Sequence, residues 1–176
     1  CFMELRDEPD NTMLKDILSY KHLIILRAFT KSFAMPGVRL GMAVCSNENM
    51  AKIIKRQLPE WNISVMADAA GKAALTEKQY LEESRSYIKR ERSFLMEGLV
   101  RLGFKIFSSK TNFILVYKDD DSLYEKLLDK KILIRDCISF EGLCAGYYRI
   151  AVRTREENVK LLDALETIYK TKIMLC

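Results

Sequence analysis

A lysine that closes an apolar run is a candidate nucleophile, and this sequence offers one. Residues 22–28, His-Leu-Ile-Ile-Leu-Arg-Ala, lead into Phe29, Thr30 and Lys31, and Arg39 follows eight residues after the lysine, across Pro36-Gly37. Burial and a neighbouring cation each lower a lysine's pKa, which turns its amine into a nucleophile toward aldehydes. Arg27 and Arg39 are the cations at hand. A guanidinium at position 39 is suited to grip a phosphate through its fork of donors, and Thr30 adds a hydroxyl. Amine chemistry beside a phosphate site is what a pyridoxal phosphate cofactor requires. The same residues also fit an ordinary loop lysine and a surface arginine, so the spacing alone leaves both readings open. Gly37 and Gly41 have the spacing of a membrane-helix contact, but the segment is short and carries Arg39.

Other residue types offer less. Trp61 and Asn62 are pocket candidates, although a lone Trp ahead of a helix is more often core. His22 at a strand edge reads as structural. Cys137 has no accompanying base and reads as a small buried hydrophobe. Tyr147 and Tyr148 alternate across a strand, so only one of them can face a site. The five cysteines, at 1, 45, 137, 144 and 176, form no CxxC pair, and His22 is the single histidine. No metal site is expected, and a sparse, odd set of thiols suits a reducing cytoplasm.

The elements that must position these residues alternate along the chain. The run 22–28 reads as a strand covered on both faces, as in a parallel sheet. Met42–Cys45 is a second strand. Asn47 caps a helix to about Gln57, ended by Pro59, and the small residues of 64–74 suggest a tightly packed helix. Thr76 with Gln79 has the pattern of a capping box for a long helix to about Leu102, closed by Gly103. Leu81, Ile88, Leu95, Leu99 and Leu102 fall on helical spacing. Strands follow at 104–107, 112–117, 132–135 and 148–152, with a short helix from Ser122 (paired with Glu125) to Lys130. Thr154 and Glu157 cap a final helix whose stripe is Leu161, Leu162, Leu165, Ile168 and Tyr169.

With 176 residues, 49% hydrophobic and 30% charged, the chain can bury a core, and wholesale disorder is excluded. No apolar run reaches the ~18 residues of a membrane span, so no membrane partner is expected. The net charge of +5 is spread along the sequence and does not call for nucleic acid. Phe2, Met3 and Leu5 read as the tail of a strand already under way, and the chain is expected to be the C-terminal piece of something longer.

Thr30-Lys31 followed by Ser-Phe-Ala-Met-Pro-Gly-Val-Arg39-Leu-Gly resembles the cofactor-lysine motif of the class I/II, fold-type I aminotransferases, and the likeness continues to the end of the chain. The fold class implied is α/β: the C-terminal part of the large cofactor-binding domain, residues 1–85, followed by a small α+β domain, residues 86–176. By that resemblance Lys31 is the catalytic lysine that joins pyridoxal 5'-phosphate, and Arg39 and Thr30 bind its phosphate. Ala28 stands where the family often has another hydroxyl. The segments Leu58-Pro-Glu-Trp61-Asn-Ile-Ser, Ile134-Arg135-Asp-Cys137 through Leu143, and Tyr147-Tyr148-Arg149-Ile-Ala-Val-Arg153-Thr are similar to the branch holding threonine-phosphate decarboxylase and histidinol-phosphate aminotransferase, with three features on the decarboxylase side.

The resemblance implies that Arg149 binds a substrate α-carboxylate and Arg135 a substrate phosphate, as for a phosphorylated amino acid, the decarboxylase product being an amino alcohol phosphate used in cobalamin assembly. Read without it, Arg135 is a solvated strand-end charge and Arg149 an ion-pair partner of Glu156 or Glu157. Arg153 more naturally supports the helix entrance. Cys1-Phe2 resembles the last two residues of the family's Asp-Glu-Ala-Tyr (or Phe) motif, so the Asp that meets the cofactor nitrogen is expected upstream. This chain alone is therefore expected to be inactive, and the intact enzyme to be a cytoplasmic homodimer. A histidinol-phosphate aminotransferase and a noncatalytic binding domain derived from the family are the competing readings.

Overall fold

The computed structural model describes residues 2–8 and 12–173; Cys1 and Cys176 lie outside them. It divides into two units between Arg85 and Ser86.

In the first unit, Met3–Leu5 forms a turn of 3-10 helix with Leu5 buried, where a strand tail was expected. The sheet of this unit is a hairpin of β1 (Ile24–Ala28) and β2 (Gly41–Cys45). The pairing is antiparallel, and Ile24 and Leu26 are exposed, so β1 is not covered on both faces as a parallel-sheet strand would be. His22 sits in the exposed turn before β1. The hairpin connection carries α1 (Phe29–Ser32) and a 3-10 turn at Pro36–Val38. Gly41 stands opposite Ala28, and a Cβ there would lie 2.9 Å from the Arg27 carbonyl oxygen, so the close approach of the two strands needs a glycine.

The predicted cap at Asn47 does form: its side chain accepts from the Met50 amide at 3.0 Å to start α2 (Glu48–Gln57), and Ser64, not singled out from the sequence, accepts from the Ala67 amide at 3.1 Å to start α3 (Val65–Thr76). The Thr76–Gln79 capping box does not form. Thr76 lies within α3, where its hydroxyl donates to the Ala73 carbonyl, and Gln79 bonds Glu83 instead. The long helix α4 (Lys78–Arg101) begins beyond it and closes at Gly103, whose φ of +74° suits glycine. Trp61, expected in the core, is 95% exposed in a turn at φ +57°.

The second unit holds a four-stranded antiparallel sheet in the order β3 (Lys105–Ile106), β4 (Phe113–Tyr117), β6 (Tyr147–Ala151), β5 (Arg135–Asp136). Alternation gives the sheet two unlike faces. Ile114, Val116, Tyr148 and Ile150 enter one core cluster with Leu95 and Leu99 of α4, Leu123 and Leu127 of α5 (Leu123–Asp129), and Leu161 and Leu165 of α6 (Arg155–Ile173). Phe113, Leu115, Tyr147 and Arg149 belong to the other, more open face. The predicted strand 132–135 shrinks to Arg135–Asp136, because the Ile132 amide is spent on the Leu127 carbonyl in closing α5.

Polar anchors hold this unit in register. The Asp120 carboxylate, nearly buried, accepts from Lys126 at 2.7 Å, from Ser122 and from the Tyr169 hydroxyl. Ser122 is thus occupied by Asp120 and does not cap α5 with its side chain. Burial pushes the Asp120 pKa up, but the Lys126 and Ser122 contacts outweigh it and hold the carboxyl below its ordinary value. Burial pushes the Tyr148 hydroxyl up to about 12, and its proton is donated to the Asp120 carbonyl. Thr154 and Glu157 do form the predicted box at the start of α6.

Candidate active site

The hairpin connection of the first unit positions Thr30, Lys31 and Arg39. The Phe29 amide donates to the Leu40 carbonyl, so the turn closes where the strands end. Within α1 the buried side chains are Phe29 and Ser32, which leaves Lys31 exposed between them. The desolvation expected for Lys31 is therefore absent in this chain. Arg27 does not reinforce a cationic surrounding either, because Glu4 takes its guanidinium in an ion pair and also accepts from the Ser32 hydroxyl. Glu4, 23 residues before Arg27, carried no signal in the sequence.

Among the described residues, Arg39 pairs with no carboxylate. It adopts a left-handed backbone (φ +57°), and its guanidinium donates to the Pro36 carbonyl at 3.0 Å, its one hydrogen bond among the described residues. Neither the Lys31 amine nor the Thr30 hydroxyl has a side-chain partner among the described residues. Two cations and a hydroxyl on one short connection, none neutralised by a carboxylate, make a donor set suited to an anionic aldehyde such as pyridoxal phosphate. The residues present fit that group.

The second unit holds the other pair. Arg135 of β5 stands directly opposite Arg149 of β6, so both side chains share the open face of the sheet. They border an open cleft of about 440 Å³ lined also by Tyr124, Leu133, Ile134, Asp136 and Ala151. Both arginines are exposed, and neither has a carboxylate partner among the described residues. The pairing of Arg149 with Glu157 weighed from sequence does not occur, because Glu157 accepts from Arg153 at 2.6 Å. Arg153 thus holds the helix entrance, as expected. Each of the two cleft arginines instead lies over an aromatic ring, Arg149 over Phe113 at 5.2 Å and Arg135 over Phe140 at 5.5 Å.

Cys137 is buried beside this cleft. Burial pushes its thiol pKa up despite the nearby Arg149, and its sulfur bonds the Arg135 carbonyl, which suits a packing role and not a nucleophile. Of the two tyrosines, Tyr148 is in the core and Tyr147 packs on Tyr117 and Phe107 of the open face. Among the described residues no cluster of His, Cys, Asp or Glu could hold a metal ion, and no helix is long and apolar enough to cross a membrane.

Comparison with known proteins places these residues in context. The family model for aminotransferase class I and II matches residues 6–165. The chain is 38% identical over 169 residues to histidinol-phosphate aminotransferase 2 of Archaeoglobus fulgidus, covering 96% of this chain and 48% of that protein. It is 32% identical over 151 residues to the threonine-phosphate decarboxylase of Salmonella typhimurium, covering 84% and 41%. Its fold overlays the crystal structure of the histidinol-phosphate aminotransferase from Clostridium acetobutylicum with a TM-score of 0.91 at 36% identity, over 97% of this chain and 53% of that one. The chain spans about half the length of the proteins it matches.

Proposed function

This chain belongs to the class I and II aminotransferase family, and on that premise we propose that it serves a pyridoxal-phosphate-dependent enzyme acting on a phosphorylated amino acid. Lys31 is the catalytic lysine that joins the cofactor, and Arg39 and Thr30 hold its phosphate. Arg149 receives the substrate carboxylate and Arg135 the substrate phosphate. When bound, the cofactor supplies an electron sink for the bonds at the substrate's amino carbon. Arg149 sets the direction of the carboxylate and thereby helps select the bond that breaks. The observation that carries this reading is the Arg135–Arg149 pair, two guanidiniums on one face with no carboxylate among the described residues to neutralise them. Such a pair suits a ligand with two anionic ends.

The reaction we favour is decarboxylation of threonine phosphate to an amino alcohol phosphate, which the segments around Trp61, Arg135 and Arg149 support. Amino transfer to or from histidinol phosphate is the second reading. The identity to the Archaeoglobus and Clostridium aminotransferases supports it equally well. We take the working enzyme to be a cytoplasmic homodimer.

The whole protein, loaded with pyridoxal phosphate and treated with borohydride, is expected to carry a pyridoxyl label on Lys31. Carbon dioxide release from threonine phosphate identifies the decarboxylase, and consumption of 2-oxoglutarate with histidinol phosphate identifies the aminotransferase. An unlabelled protein with neither activity would overturn the proposal in favour of a noncatalytic binding domain.

A further inference from the structure

We infer that Phe113 and Phe140 are positioning residues, each seating one guanidinium of the Arg135–Arg149 pair on its ring so that both forks stay free for anions. This rests on the reading of the two arginines given above. The geometry follows from the ladder. Arg149 stands opposite Leu115 of β4, and Phe113 stands opposite Ala151, which makes Phe113 the diagonal neighbour of Arg149 on the same face. The guanidinium carbon lies 5.2 Å from the Phe113 ring centre. On the other side Phe140 comes from the turn after β5, where its amide donates to the Cys137 carbonyl, and its ring centre lies 5.5 Å from the Arg135 guanidinium carbon.

An aromatic face is a distinctive seat for a binding cation. A carboxylate would hold the guanidinium more firmly, but it would consume donors and cancel the charge. A ring attracts the cation through its quadrupole and uses the flat face of the guanidinium, while the N–H groups at the edge remain available. Two arginines directly opposite on a sheet repel each other and, left unseated, swing apart into solvent. A ring beneath each opposes that swing. Each cation thus has its own ring, Phe113 for Arg149 and Phe140 for Arg135.

The test uses the whole protein saturated with pyridoxal phosphate, so that the cofactor's own phosphate site is filled. Phe113→Leu, Phe113→Tyr, Phe140→Leu and Phe140→Tyr are compared with the wild type. Affinity for inorganic phosphate is read by calorimetry, and KM and kcat are read with threonine phosphate. Removing a ring at an exposed cation contact is expected to weaken phosphate binding and raise KM about two- to fivefold. The change in kcat is expected to be smaller, and the Tyr variants, which keep the ring, are expected to recover wild-type values. Leu variants with wild-type phosphate affinity and KM would overturn the inference. So would Tyr variants that lose as much as the Leu variants, since that result marks a packing role. A protein that turns over neither substrate would sink the proposed function, while the phosphate titrations would still decide between a seat and simple packing.

Discussion

Arg135 and Arg149 face each other across the β5–β6 ladder with no shared carboxylate among the described residues, a placement of like charges that costs stability. Replacing either by Gln removes the repulsion and keeps a polar side chain. Arg135→Gln and Arg149→Gln are expected to be neutral or to stabilise the whole protein by about 0.2–1 kcal/mol, the range for opposed charges on a sheet. The same variants lose charge-assisted hydrogen bonds worth roughly 1.5–3 kcal/mol, which lowers kcat/KM about ten- to hundredfold. Thermal melts and steady-state kinetics on the same preparations check both halves. A variant that loses stability and keeps activity would contradict the assignment.

Arg39 gives a sharper chemical test, because Lys keeps the charge and removes the fork. Among the described residues the guanidinium pairs with no carboxylate, and it donates to the Pro36 carbonyl. Arg39→Lys is therefore expected to cost the fold little. Loss of bidentate phosphate contact is expected to weaken pyridoxal phosphate binding about tenfold or more, by roughly 1.5–3 kcal/mol. Titration of the apoprotein, followed by cofactor absorbance, measures it. Unchanged affinity would show that Arg39 does not hold the phosphate.

Gly146 reports on the scaffold beneath the arginines. It is buried at φ +88°, just ahead of β6, and a Cβ there would lie 2.6 Å from the Lys118 carbonyl oxygen and 2.9 Å from the Tyr117 ring. Its own carbonyl accepts from the Lys118 amide at 3.0 Å, so the backbone cannot easily move away. Gly146→Ala is expected to destabilise the protein by about 2 kcal/mol, through the strained backbone and the clash together. Chemical denaturation provides the measurement, and a loss below about 0.5 kcal/mol would refute the close approach.

Local signals were the most legible part of this sequence. Asn47 and Gly103 each mark a helix end through local geometry, and each sits where its side chain or φ requires. Lys31 and Arg39 could be picked out because both lie on one hairpin connection. What stayed hidden depends on tertiary contacts, many between residues far apart in the chain. Glu4 neutralises Arg27 and Tyr169 reaches Asp120 across the fold, while Asp120 takes Ser122 away from its helix cap and Phe140 meets Arg135 only through the fold of a turn. The core reading of Trp61 failed for a related reason. Hydrophobicity predicts that a residue seeks cover, but only tertiary packing decides whether cover is there.

Glu157 sets a pH dependence that can be worked out from its contacts. Its carboxylate accepts from Arg153 at 2.6 Å and from the Thr154 hydroxyl at 2.9 Å, while the Glu157 amide points back to Thr154, so α6 starts on a closed box. The Arg153 hydrogen bonds come first in lowering its pKa to about 2, from an ordinary value of 4.5. The folded form thus binds the proton more weakly than the unfolded form. Its contribution to stability is fully present above about pH 4.5 and is lost as the pH falls toward 2. The side chain is 43% exposed, so solvent screening trims the size of the effect without changing its sign. Glu157→Gln keeps a side chain able to close the box and removes the titrating charge. Melting temperatures of the whole protein across pH 5 to 2 are expected to fall less steeply for Glu157→Gln than for the wild type, with high salt narrowing the gap. Parallel curves for the two proteins would show that the Arg153–Glu157 contact does not hold the entrance of α6.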